Sequence, residues 1–161
     1  LNFLARLADS PFSEWLSLSM LGFPSLIALH SVGMAIVVGL SLMVTLRLSG
    51  MLTAIDGELV PRLLHIAVWG FTLNLVTGLL IFITRGPEYI ASLIFLIKML
   101  LVIISAAILF WLRRRLLLNA SGAGAPAIDR TAKNLSLVAT VLWFAAVIAG
   151  RLIAYLSTLY R

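Results

Sequence analysis

A chain of 161 residues that is 62% hydrophobic and 11% charged, at a mean hydropathy of +1.13, is too apolar for an ordinary water-soluble domain. Its net charge of +6 comes from basic residues that flank apolar runs instead of forming a stripe, which reads as a topology signal and argues against nucleic acid. With no cysteine, thiol catalysis, cysteine-ligated clusters, disulfides and covalent haem attachment are excluded, and no glycine-rich phosphate loop asks for a nucleotide domain.

The first stretch, 1–22, mixes Arg6, Asp9 and Glu14 with Leu, Phe and Trp15, the pattern of an amphipathic segment lying in the membrane interface. Ser10 followed by Pro11, with Glu14 in the first turn, predicts a short surface helix over about 11–21. The basic start and compact apolar middle of a cleavable signal peptide are missing. Four apolar runs follow, over about 24–48, 61–84, 89–112 and 133–159, each long enough to cross a bilayer. Ser49 and Gly50 close the first, and Pro61 opens the second. Arg85, Gly86 and Pro87 are expected to break the second run, and the triplet Arg113 to Arg115 ends the third. The segment 119–129, rich in Ala, Gly, Ser and Pro, reads as the one flexible connection. The fold class predicted is therefore all-α, a single integral-membrane four-helix bundle with an interfacial helix at its amino-terminal side.

Orientation follows from the basic residues. Arg47, Arg62, Arg113 to Arg115, Arg130 and Lys133 lie on one side, against Arg6, Arg85 and Arg161 on the other. The positive-inside rule then puts both termini on the periplasmic side of a bacterial inner membrane.

Ionisable groups inside hydrocarbon are costly and so informative. They are His30, His65, Lys98 and Arg151. At a rise of 1.5 Å per residue, His30 and Arg151 lie roughly 9 Å inside the outer ends of the first and fourth spans, and Lys98 about 12–15 Å inside the third. Asn74 and Thr77 share that layer. Helical angle gathers His30, Met34, Val37, Ser41 and Thr45 on one stripe of the first span, and Gly70, Asn74 and Gly78 on the second. Lys98, Val102 and Ser105 align on the third, and Thr140, Phe144, Val147, Arg151 and Tyr155 on the fourth. Turned inward, these stripes would enclose a cationic pocket. A separate stripe of Ser31, Ala35 and Gly39 would suit close helix packing. Bland readings stand beside these: Arg151 can snorkel outward, His30 can bond a neighbouring helix, and Asn74 in a glycine seam is interhelical glue. His65 lies on the stripe of Trp69 and Thr72, opposite Asn74, so it should face lipid or a partner. His30 and His65 differ in depth by some 15–20 Å, so they cannot clamp one haem within one chain.

Ala28-Leu29-His30-Ser31-Val32-Gly33-Met34-Ala35, Leu46-Arg47-Leu48-Ser49-Gly50, Thr77-Gly78-Leu79-Leu80-Ile81-Phe82, Phe95 with Lys98, and Gly150-Arg151-Leu152-Ile153-Ala154-Tyr155 resemble a family of small, functionally uncharacterised bacterial four-helix inner-membrane proteins. More distantly, the Thr77-Gly78 pair and Lys98-Met99-Leu100-Leu101 are similar to copper-resistance protein D, which implies copper passage. The architecture also resembles four-helix b-type cytochromes, which hold two haems with four histidines; this chain has two histidines.

Three functions are open at this point. In the first, the chain is a small redox or accessory subunit of a larger complex, binding b-type haem or quinone in the periplasmic half. His30 would be the axial ligand or donate to a quinone carbonyl, and Lys98, Arg151, Asn74 and Tyr155 would hold the guest. In the second it handles copper through His30 and Met34 at i, i+4. In the third it is a non-catalytic anchoring subunit, packing on other membrane subunits or on its own copies. A hydrolase is disfavoured, because the six acids all sit in loops or at ends.

Overall fold

The computed structural model describes residues 2–120 and 129–159, and these are helical apart from short turns. In chain order the helices are α1 Asn2–Ala8, α2 Pro11–Leu18, α3 Gly22–Leu48, α4 Val60–Ala91, α5 Leu93–Ala120 and α6 Arg130–Leu159, with a 3-10 turn at Gly57–Leu59. The last four each contain a stretch long and apolar enough to cross a membrane. The protein is an all-α, multi-pass membrane bundle.

Consecutive spans are neighbours, and α6 returns to pack on α3, closing a ring in which α3 lies diagonal to α5. Alternation of direction gathers the end of α3, the start of α4, the end of α5 and the start of α6 at one pole, the Arg-rich end. Outward faces carry exposed apolar side chains such as Leu75 and Leu79 on α4 and Leu96, Leu100 and Ile103 on α5. This surface is matched to acyl chains. Towards the Arg-rich end the interior is a dry core built on Val44, Leu64, Leu109, Leu112 and Leu116. It leaves a void of about 10 Å³ beside Ser41 and Ser136, large enough for no more than one water. Across the middle, the Phe71 ring meets Phe110 at 5.9 Å and Trp143 at 6.1 Å, both edge-on. Trp143 is fully buried, and its indole N–H has no acceptor among the described residues.

Thr45 on α3 and Thr140 on α6 share a buried hydrogen bond of 2.9 Å, a polar tie between spans that close the ring. Thr140→Val should lower stability by about 0.6 kcal/mol and at most about 1.7. Replacing both by Val should recover most of that, because no orphaned hydroxyl is left. A double-mutant cycle read by SDS-induced unfolding checks it; full additivity would show that the bond contributes nothing.

Local chemistry explains the boundaries. Ser10 Oγ accepts from the Ser13 amide at 3.2 Å, which with Pro11 starts α2 as predicted. The amino-terminal segment forms two short helices rather than one, separated at Asp9 and Ser10, and the second ends at Leu18 instead of 21 because Ser19 turns the chain and its Oγ accepts from the Gly22 amide at 3.0 Å. Both helices pack on α4, where Leu4 lies over Gly86, and Phe3, Phe12, Trp15 and Leu18 stay exposed.

The expected break at Arg85 to Pro87 is instead a kink. Arg85 takes a non-helical φ of −142°, and the helix resumes through Pro87 to Ala91. Tyr89 therefore belongs to α4 and not to the third span, and it stacks with Phe82 and Phe95 at 6.5 and 5.2 Å across the turn into α5. Helix α5 runs past the arginine triplet to Ala120, and α6 starts at Arg130, where Asp129 Oδ1 accepts from the Thr131 amide. Asp129 also pairs with Arg115 at 2.7 Å. Most of the connection expected to be flexible, 121–128, and the terminal Arg161 lie outside the described residues.

Candidate functional site

The polar layer is built first by close approach of α3 and α4. A methyl added to Gly33 would stand 2.8 Å from the Asn74 backbone nitrogen and 2.9 Å from the Gly70 carbonyl oxygen, so only glycine lets the two backbones meet here. The contact runs through Gly33 and Gly70. It does not run through the Ser31, Ala35 and Gly39 stripe, which is exposed, with open space around Gly39. Helix α3 presents small residues on both faces, and the glycine seam of α4 selects the one that fits.

Contact at Gly33 brings His30 against Asn74 and Thr77. His30 Nδ1 lies 3.0 Å from the Asn74 carbonyl oxygen and 3.1 Å from Thr77 Oγ1. A carbonyl only accepts, so the imidazole proton sits on Nδ1 and donates to it. Thr77 donates in turn to the Leu73 carbonyl at 2.7 Å, and Asn74 Nδ2 donates to the His30 carbonyl at 2.9 Å. The ring lies over Gly78, where a methyl would stand 3.1 Å from His30 Cε1. Asn74 is thus the interhelical glue that its glycine seam suggested. His30 Nε2 keeps its lone pair, with only a distant Asn74 Nδ2 at 3.4 Å. This corrects the donor role expected for His30: with Nδ1–H committed to α4, the other nitrogen accepts a hydrogen bond or ligates.

Lys98 comes from α5, diagonally across the ring. Its stem lies in the groove left by Gly150 of α6, with Nζ 3.4 Å from where a methyl on Gly150 would be. It is half-buried, within Coulombic range of His30, and the ammonium has no hydrogen-bond acceptor or carboxylate among the described residues. In hydrocarbon such a charge is unstable unless something electron-rich meets it.

The fourth span does not join them. Of the expected stripe Thr140 is buried and Val147 half-buried, but Phe144, Arg151 and Tyr155 are exposed; the inward face of α6 runs through Ser136, Ala139, Thr140, Trp143, Ala146 and Ala149. The two faces differ by about one residue, or roughly 100° of helix. Arg151 and Tyr155 therefore lie away from His30. Met34 lies half-buried one turn along α3 from His30. His65 is exposed on α4, beside Trp69 and against Arg113 of α5, far from the layer. The site contacts missed by the sequence reading are those at Gly33 and Gly150. Small residues spaced three and seven apart on α6, at Ser136, Ala139, Ala146 and Ala149, were the available signal for its true face.

Among the described residues no group of three or more His, Asp or Glu side chains is placed to hold a metal ion. Comparison with protein-family models, with curated proteins and with solved structures finds no match.

Proposed function

We propose that the chain is a small redox or accessory subunit of a bacterial inner-membrane complex that binds a quinone head group between His30 and Lys98, in the periplasmic half of the bundle. The observation that carries this reading is the half-buried Lys98 ammonium within a spanning helix, without a partner among the described residues, together with a His30 ring whose Nδ1–H is committed to α4 and whose Nε2 is left as the acceptor. The pair is complementary. Lys98 Nζ donates to a carbonyl or oxyanion, His30 Nε2 accepts from a hydroxyl, and Asn74 and Thr77 hold the ring in the tautomer that does so. A bound quinone would supply electron and proton exchange with the lipid pool.

Haem fits this donor set less well. His30 alone has the anchoring of an axial ligand, with Nδ1–H on a carbonyl and Nε2 free. Neither Met34, which projects from the same helix, nor His65, which belongs to the other end, can be the opposite ligand. Arg151 and Tyr155, the expected propionate partners, face outward. Copper on His30 and Met34 would sit beside the Lys98 charge, and like charges repel strongly in a medium of low dielectric. The exposed Ser31, Ala35 and Gly39 stripe suits packing against another membrane subunit, which fits a role inside a larger assembly.

Solvent extraction of the purified protein should return roughly one quinone per chain. An absorption spectrum from the same preparation discriminates the alternatives: a Soret band lost in His30→Ala would replace quinone by haem. A preparation without quinone that also fails to take up an added short-chain analogue would contradict the proposal.

A further inference from the structure

At the Arg-rich end, in the groove between α4 and α5, His65, Trp69 and Arg113 form a cluster unrelated to the His30 layer. Trp69 Nε1 lies 3.2 Å from His65 Nε2, and Arg113 Nη2 lies 3.3 Å from His65 Nδ1. The imidazole and indole rings meet nearly at right angles, 6.4 Å apart.

These contacts cannot all be hydrogen bonds. Indole and guanidinium only donate, and a neutral imidazole has one N–H and one lone pair. Whichever nitrogen carries the proton, that N–H faces another N–H. Protonating the ring removes the last acceptor and makes the imbalance worse. The cluster is at least one acceptor short.

Among the described residues no carboxylate or other acceptor pairs with the cluster beyond His65 itself. Arg113 Nε is buried without a partner, so part of the guanidinium's donor capacity is unmet. The acid closest in chain position to the triplet, Asp129, is paired with Arg115, and among the described residues that is the only ion pair. Arg62, one turn before His65, adds further positive charge.

We propose that this cluster binds the phosphate of an anionic phospholipid in the leaflet at the Arg-rich end. His65 and Trp69 are exposed on the outer surface of the bundle, so the groove opens towards lipid and not into the protein. Trp69 sits about 6 Å deeper than His65 along α4, with its N–H turned back towards the end of the helix, as an interfacial indole does. A phosphodiester oxygen carries negative charge and several lone pairs, so one oxygen meets the free imidazole N–H and the indole N–H while another meets Arg113. The surrounding arginines favour a head group without its own cation, hence phosphatidylglycerol over phosphatidylcholine.

The test is lipid retention by the purified full chain, exchanged into phosphatidylcholine micelles with a trace of phosphatidylglycerol and read by native mass spectrometry. The wild type should retain one phosphatidylglycerol selectively. Arg113→Gln should weaken retention about 10-fold or more, the size of a lost charge-assisted bond, and Trp69→Phe, which keeps the ring and removes the donor, several-fold. Arg114→Gln, which removes the same charge next door, should change it less than about 2-fold. Trp69→Phe keeps the proposal falsifiable if Arg113→Gln fails to fold. Equal losses in Arg113→Gln and Arg114→Gln would overturn it, as would equal retention of phosphatidylcholine. Displacement by millimolar inorganic phosphate would overturn it too, because the site would then be one for free phosphate.

Discussion

Gly33→Leu is expected to destabilise the folded bundle strongly, while Gly39→Leu, the same change six residues along the same helix, is expected to be nearly silent. The contrast isolates contact from propensity, since both substitutions raise helix propensity alike. At Gly33 the first added carbon meets the backbone of α4 on two sides, at 2.8 and 2.9 Å. Backbone cannot swing aside as a side chain does, so the helices must part. Overpacking of this kind costs about 1–3 kcal/mol for modest insertions, and a Leu on a backbone contact lies at or beyond the top of that range. Parting also breaks the Asn74 to His30 bonds, each adding about 0.6 kcal/mol. Against a total stability of about 5–15 kcal/mol this is a large fraction. At Gly39 nothing stands within 4 Å. Unfolding midpoints in SDS, with elution profiles in mild detergent, check both; equal midpoints would show that the α3 to α4 approach is not what holds this half of the molecule.

Lys98→Met should make the ligand-free protein more stable. The thioether has nearly the length of the lysine stem, fits the Gly150 groove, and removes an intramembrane ammonium that no described residue pairs. A Lys at the centre of a spanning helix costs about 2.5–3.5 kcal/mol on insertion scales, and Lys98, half-buried and only about 8 Å from the end of α5 because that helix starts at Leu93 and not near 89, should return about 1–3 of that on replacement. A stabilising loss of charge is the signature of a group retained for function. If the variant is instead less stable, Lys98 is a structural element whose partner lies in a lipid head group or in another chain.

The four spans were legible because each is an uninterrupted apolar run flanked by Arg, Gly or Pro, and on α3 and α4 the polar stripes also pointed inward as read. Val37, Ser41 and Thr45 are buried on the first, and Gly70, Asn74 and Thr77 on the second. The α6 face was misjudged for a physical reason. Polar residues near the end of a span can face either a pocket or the interface, so they do not by themselves mark the inward direction. Arg151 and Tyr155 take the second course. Small residues were the better guide on α6, where Ala139, Ala146 and Ala149 mark the contact. On α3 they misled, because Gly33 and Gly39 look alike until the facing helix is known. Pro87 was read as a stop, yet in a membrane helix its missing amide is tolerated as a kink. The tautomer of His30 was beyond sequence altogether, since it depends on which carbonyl of α4 the ring meets.

Titrating a short-chain quinone into wild-type protein and Lys98→Met, with bound ligand measured by equilibrium dialysis, tests the central claim most directly. The account predicts saturable binding to the wild type, about 10-fold to 100-fold weaker in the variant, the loss of one charge-assisted hydrogen bond, although the variant is the more stable fold. Equal binding by the two proteins would contradict it.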